Sequence, residues 1–222
     1  MNIAMIPARL GSKRVKNKNL RLLGGKPLVE HVIDSVKQTN LFDKIYLNSE
    51  GDIFKEVAYN NGINFYKRPN QLASDTATND EFVEDFISNI DCENIFQILP
   101  TSPFVSSNNI SNFFEYFFEH SCHTLISQKE VRIECTYENT PINYDKTKQT
   151  PPSQELTPIM AYACSLMAWN SAMFIKNMSK FKCAYHGPEG KTGYFKLDGF
   201  ATVDIDEEFD FLLAEQIHNL LK

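Results

Sequence analysis

Short apolar runs alternate with amphipathic helical segments along most of the chain, and that alternation leaves few folds open. The runs at 3–6, 44–48, 63–66, 94–99 and 124–127 have the length and character of buried strands. A segment opening at Pro27, and those at 52–61, 79–90 and 108–120, carry apolar residues at helical spacing. Strand–helix units of this length, with no linker or internal repeat, predict one α/β domain over 1–222, doubly wound on a mostly parallel sheet. The regularity fails at 131–160, where Pro141, Pro151, Pro152, Pro158 and a polar run predict an excursion from the sheet. It is a loop over a site, an arm to a partner subunit, or both. Strands are expected again at 162–169 and 201–205, and a helix at 207–221 closes the chain.

The first strand breaks at Pro7 into a loop of unusual charge. Arg9, Lys13, Arg14, Lys16, Lys18, Arg21 and Lys26 all precede the first acid, Glu30. A cationic loop at the carboxyl end of the first strand is where such sheets hold anionic ligands, and a nucleotide polyphosphate is the natural candidate. Arg9 can fork onto two oxygens, while Lys13 and Lys18 act as mobile point charges. The loop lacks the GxxxxGK[ST] spacing of a P-loop. A plain solvated face is the competing explanation.

The chain as a whole has formal charge −6, which argues against a general nucleic-acid binder, because the basic loop sits on an acidic body. Five cysteines without a CxxC pair fit reduced thiols and a cytoplasmic location rather than a disulfide or zinc framework. No apolar run approaches a membrane span.

Two further constellations carry chemistry. Asp204 and Asp206 are two positions apart after the apolar run 200–203. On a strand they face one side and can meet one Mg²⁺, which favours one or two carboxylates plus substrate phosphate oxygens. Against this, Asp206-Glu207-Glu208 also reads as a helix N-cap with acids in the first turn. The loop around Arg68 and 72–76 exposes backbone groups able to read a base edge, or it simply caps the following helix. The five histidines show no metal-ligand spacing.

Taken together, IPARLGSKRVKNKNL at 6–20, KRPNQLASDTA at 67–77, ILPTSPF at 98–104 and VDIDEEFD at 203–210 resemble the acylneuraminate cytidylyltransferase (CMP-sialic acid synthetase) family, in its order and near its spacing. The resemblance implies a Rossmann-like fold of the nucleotide-diphospho-sugar transferase type, and a homodimer formed through an arm that 131–160 would supply. It implies that Arg9, Ser12 and Lys13 hold the CTP phosphates and that Lys18 neutralises charge at the reacting phosphorus. Asn19 would lie near that phosphorus and the ribose, with Arg68, Ala73 and Ser74 around the cytidine and Asp204 and Asp206 on magnesium. The reaction implied is attack of the anomeric hydroxyl of an acidic 2-keto-3-deoxy sugar on the α-phosphorus, releasing pyrophosphate.

The departures fall mostly in the acceptor half. Leu10 and Arg14 stand where the family often has glycines. Leu99 replaces the usual Gln before Pro100, and Val105 the usual Arg. Gln97 shares the face of Leu99 about 6–7 Å down the strand, too far to replace that Gln without rearrangement. Lys148 and Gln149 fall near a basic-Gln pair of the family arm, so a cation for the substrate acid is expected there. Alternatives are therefore a cytidylyltransferase for another sugar or a phosphonate, and a nucleotide-binding module without turnover.

Overall fold

The computed structural model describes residues 1–221. In chain order the elements are β1 (Asn2–Pro7), β2 (Leu22–Leu23), β3 (Lys26–Pro27), α1 (Leu28–Thr39), β4 (Lys44–Ser49), α2 (Ile53–Asn60), β5 (Asn64–Lys67), α3 (Asn79–Asn89), β6 (Asn94–Ile98), α4 (Ser107–Glu119), β7 (Thr124–Val131), β8 (Thr136–Tyr137), β9 (Thr140–Pro141), β10 (Ile159–Asn170), α5 (Ser171–Phe181), β11 (Thr192–Lys196) and α6 (Glu208–Leu220). Seven strands form one sheet in the order β11-β7-β10-β6-β1-β4-β5. Only β10 runs antiparallel to its neighbours, β6 and β7. The expected mostly parallel, Rossmann-like sheet is therefore present.

Alternation along the strands assigns the two faces. Ala4 and Ile6 of β1, with Phe96 and Ile98 of β6, face α1, α2 and α4 through Val32, Phe54 and Phe113. Ile3 and Met5, with Ile95, Met167 and Trp169, face α3 and α5 through Phe86 and Phe174. α3 and α4 each begin with a capping box, Thr78 with Glu81 and Ser106 with Asn109, so their first turns are closed by side chains. The chain leaves β1 toward β4 and β5, then returns to place β6 on the other side of β1. That reversal opens a crevice at the carboxyl ends of β1, β4 and β6, the usual ligand position in open α/β sheets.

Two expectations need correction. The strand expected at 201–205 is absent: Gly199–Thr202 is a 3₁₀ turn, and 203–206 is extended chain outside the sheet. Its backbone binds the loop after β6 instead, Ile205 N donating to Thr101 O at 2.8 Å. The sequence reading also passed over α5 and β11. α5 starts directly from β10 with Asn170 capping Met173 N at 3.1 Å, and β11 is an edge strand set in a Gly- and Pro-rich stretch that resembles a loop. The 131–160 region is mostly outside regular structure, although β7 runs on to Val131 and a two-residue hairpin, β8–β9, lies within it. No helix among the described residues is long and apolar enough to cross a membrane.

Candidate active site

A cavity of about 730 Å³ occupies the crevice. It is lined by Pro7, Arg9, Ser12, Lys13, Arg14, Lys18 and Asn19 from the basic loop, and by Arg68, Asp75, Asn79, Asp80 and Phe82 around the start of α3. Gln97, Leu99, Pro100 and Thr101 from β6 and its turn, Cys164 and Met167 from β10, Tyr185 and His186, and Asp204 and Asp206 complete it.

A separate apolar cluster fixes the loop against the carboxyl-terminal acids. Val15, Leu23, Leu28, Ile205, Phe211 and Ala214 pack together, tying the basic loop, the start of α1, the 203–206 segment and α6 into one unit. Ile205 is wholly buried between the partly buried Asp204 and Asp206, both of which line the cavity without sheet pairing. Lys18 Nζ then donates to Ile205 O at 2.5 Å and to Asp206 Oδ1 at 3.3 Å. Arg14 reaches the same Asp206 oxygen at 3.1 Å. The capping reading of this acidic run holds one residue later: Glu207 is the N-cap of α6, and Asp210 accepts from the backbone N–H groups of Asp206 and Glu207 at 3.0 and 2.8 Å, leaving the Asp206 side chain to the cations.

At the other end of the loop, Arg9 Nη1 lies 3.2 Å from Asp75 Oδ1, and Lys13 pairs with the other oxygen of the same carboxylate. The Lys13 ammonium holds the Asp75 carboxyl below its ordinary range. Asn19 donates from Nδ2 to Arg9 O at 3.1 Å, bracing the loop, while its Oδ1 is buried without a partner.

Arg68 is spent differently from the other cations. It is buried, it donates to Asn48 Oδ1 at 2.8 Å and Asn48 O at 2.9 Å, and its guanidinium stacks 4.4 Å from the Phe82 ring. Burial pushes its pKa down to about 10, so it stays charged at neutral pH. Of the nucleotide-binding candidates, Arg9, Ser12, Lys13, Asn19 and Arg68 line the cavity, whereas Ala73 and Ser74 do not. Ala73 ends a 3₁₀ turn, and the Ser74 hydroxyl lies 3.2 Å from Thr76 Oγ1.

Asp204 Oδ1 is buried with no hydrogen-bond partner. Desolvation raises the Asp204 pKa; hydrogen bonding from Thr101 opposes this and the nearby Asp206 charge adds to it. A buried carboxylate oxygen without a donor, beside a second carboxylate, fits a hard divalent cation bound through one or two protein oxygens and substrate oxygens. Among the described residues no cluster of three His, Cys, Asp or Glu side chains could enclose a metal. The fit is therefore to magnesium carried with a polyphosphate rather than to a closed protein cage.

The acceptor-side expectations divide. Leu99 and Gln97 both line the cavity, as their shared face requires. Lys148 does not, being paired with Asp145 at 3.5 Å on the surface, so no substrate-acid cation comes from there within this chain. Asn79, Asp80, Met167, Tyr185 and His186 also line the cavity without being candidates from the sequence, and Cys164 does so at a position where many family members have an Asn-Gly pair. Asp80 was legible only as a helix-start acid; its Oδ1 accepts from Ala184 N and Tyr185 N at 2.6 and 2.7 Å and so holds the far wall.

The family model for cytidylyltransferases matches residues 3–156. An N-acylneuraminate cytidylyltransferase from Streptococcus agalactiae serotype V is 28% identical over 219 residues, covering 95% of this chain and 51% of that protein. One from Escherichia coli O18:K1:H7 is 28% identical over 229 residues, covering 96% and 51%. The chain thus spans about half the length of these curated relatives. Among solved structures, a CMP:2-keto-3-deoxy-manno-octonic acid synthetase complexed with CTP superposes with a TM-score of 0.72 at 13% identity, covering 99% of this chain and 98% of that one. At that identity the likeness is one of fold.

Proposed function

The chain belongs to the cytidylyltransferase family, and from that premise we propose that it transfers CMP from CTP to the anomeric hydroxyl of an acidic 2-keto-3-deoxy sugar, with release of pyrophosphate. One observation carries the assignment. The cationic loop and the carboxylates near the carboxyl end, almost 190 residues apart in sequence, meet in one cavity through the Lys18–Asp206 contact.

Arg9 and Lys13 exchange Asp75 for phosphate oxygens, with Ser12 alongside. Lys18 and Arg14 face the reacting phosphorus and offset the charge that develops there. Asn19 turns its unpartnered Oδ1 to a ribose hydroxyl. Arg68 borders the base. Asp204 and Asp206 would hold Mg²⁺, which when bound supplies charge neutralisation of the polyphosphate. The acceptor hydroxyl oxygen forms its bond to the α-phosphorus as the bond to the bridging α–β oxygen breaks, the pyrophosphate leaves and the hydroxyl proton passes to solvent, so no side-chain nucleophile is needed. Catalysis is then positioning and electrostatics, each able to supply several kcal/mol (order of magnitude).

Leu99 in the cavity wall favours an acceptor other than the sialic acids named for the relatives, whether another acidic keto-sugar or a phosphonate. We further propose a homodimer through the 131–160 arm, which carries exposed Ile133, Tyr137 and Ile142. Light scattering tests it. The decisive assay is pyrophosphate release with CTP, Mg²⁺ and a panel of 2-keto-3-deoxy acids and phosphonates, with ATP, GTP and UTP as controls. Turnover restricted to CTP is expected. CTP binding without turnover of any acceptor would leave a binding module and overturn the assignment.

A further inference from the structure

The face of β6 that contributes Ile95 and Leu99 to the packing under α3 and α5 contributes Gln97 between them. Gln97 is 1% exposed and is flanked in the sheet by Met5 of β1 and Met167 of β10. A polar side chain at such a position needs partners, and it has one. Gln97 Nε2 donates to Asn79 Oδ1 at 3.0 Å, leaving Gln97 Oε1 and Asn79 Nδ2 buried and unpartnered. Turning both amides over does not remove the deficit: Asn79 Nδ2 would then donate to Gln97 Oε1, leaving one donor and one acceptor on the opposite residues. In either orientation these two residues of the cavity wall keep one buried N–H and one buried oxygen without a partner.

We propose that the Asn79–Gln97 pair is a specificity-determining subsite that takes one uncharged hydroxyl of the acceptor. A single hydroxyl oxygen can donate to the amide oxygen and accept from the amide N–H, closing both deficits at once. A carboxylate or phosphate is excluded, because Leu99, Phe82 and Met167 provide no counter-charge and Arg68 has two guanidinium nitrogens already engaged by Asn48. An apolar group would leave both polar atoms unpaired and gain nothing from the site. The subsite belongs to the acceptor rather than the polyphosphate because the cavity's exchangeable cations come from the loop after β1, whereas Gln97 borders the wall that Met167 and Cys164 of β10 form with Tyr185. The subsite rests on the cytidylyl-transfer assignment and deepens it: the acceptor carries a hydroxyl reaching the cavity floor.

The test uses the full chain, CTP, Mg²⁺ and the best acceptor of the panel, together with analogues of that acceptor lacking one hydroxyl at a time. The unaltered protein is expected to disfavour one deoxy analogue by at least about 10-fold in kcat/KM. Gln97→Leu should abolish that discrimination and raise the acceptor KM by at least about 10-fold while the CTP KM stays within about 2-fold. Asn79→Asp, which replaces the donor with an acceptor of the same size, should behave likewise if Gln97→Leu fails to fold. Undiminished discrimination in the variants overturns the subsite, as does a rise in CTP KM instead, which would assign the pair to the base. Absence of turnover by the unaltered protein with every acceptor is a separate outcome, and it removes the cytidylyl-transfer assignment along with the subsite.

Discussion

Lys18→Met separates the structural from the catalytic share of the contact on which the site depends. The Lys18 side chain is only 12% exposed, and its ammonium serves Ile205 O and Asp206 Oδ1 together. Methionine keeps the stem and removes the charge. The lost hydrogen bond to Ile205 O is one with a charged donor, worth about 1.5–3 kcal/mol. The lost ion pair adds at most about 1 kcal/mol, because Asp206 is 47% exposed and keeps Arg14. A total of about 1.5–4 kcal/mol lowers the melting temperature by about 3–16 °C in a chain of this size. If Lys18 also offsets charge at the reacting phosphorus, kcat falls by about 10²–10³ at a temperature where the variant is fully folded. Thermal melts by circular dichroism and pyrophosphate release, measured on the same preparation, give both numbers. A melting shift of the expected size with less than a 10-fold loss in kcat would refute the catalytic role and leave Lys18 as a latch between the loop and the 203–206 segment.

Asp75→Asn removes the carboxylate that Arg9 and Lys13 share, so calorimetry should find CTP bound a few-fold more tightly; weaker binding would show that Asp75 orders the loop instead. Asp206→Asn should bind metal-free CTP in EDTA at least as well as the unaltered protein, yet lose about 10²-fold or more in Mg²⁺-dependent turnover. Retention of activity would remove Asp206 from the proposed metal site. Phe96→Ala empties a position that is 2% exposed and surrounded by Phe42, Phe113, Phe114 and Phe117, and should cost about 3–5 kcal/mol in denaturant unfolding. A loss below 1 kcal/mol would mean that the aromatic cluster collapses to fill the space.

The fold was legible wherever strand and helix periods were clean. β1 and β6 are buried on both faces and read as apolar runs, and α1 and α4 carry their stripes openly. Legibility failed where short-range pattern and long-range pairing disagreed. The run 201–205 looks like a strand, but its backbone bonds close a 3₁₀ turn and, through Ile205 N, reach Thr101 in the loop after β6, a long-range partner that the local pattern does not show. Gly187, Gly190 and Gly193 around the start of β11 made that strand look like a loop. Gly187 and Gly190 have positive φ, whereas at Gly193 an added Cβ would fall 2.6 Å from Cys122 Sγ, a close approach that a sequence cannot show. The site was legible as charge and illegible as shape. Arg9, Lys13, Lys18, Asp204 and Asp206 stand out by residue type, whereas Asn79, Tyr185 and Cys164 enter the cavity only because the walls converge. Arg68 shows the limit of residue type alone: a cation beside the proposed base, its guanidinium is committed largely to Asn48 and Phe82.

Charge exchange gives the arrangement its logic. Four loop cations face the cavity, and the protein's own carboxylates neutralise them two by two: Asp75 takes Arg9 and Lys13, and Asp206 takes Arg14 and Lys18. Each carboxylate is half-exposed, so each pair is weak enough to open. A polyphosphate arriving at the loop competes for all four cations. Its binding would free Asp206 beside Asp204, whose buried oxygen already lacks a donor. Asp204 and Asp206 would then both be open to hold the proposed metal, and the cation pair released from Asp206 would be left facing the α-phosphorus. On this account the carboxylate that holds the loop closed without nucleotide is the one that holds magnesium with it, and the two states cannot share that side chain. Nucleotide and metal affinities must then reinforce each other by equal factors, because each ligand breaks the same contact for the other.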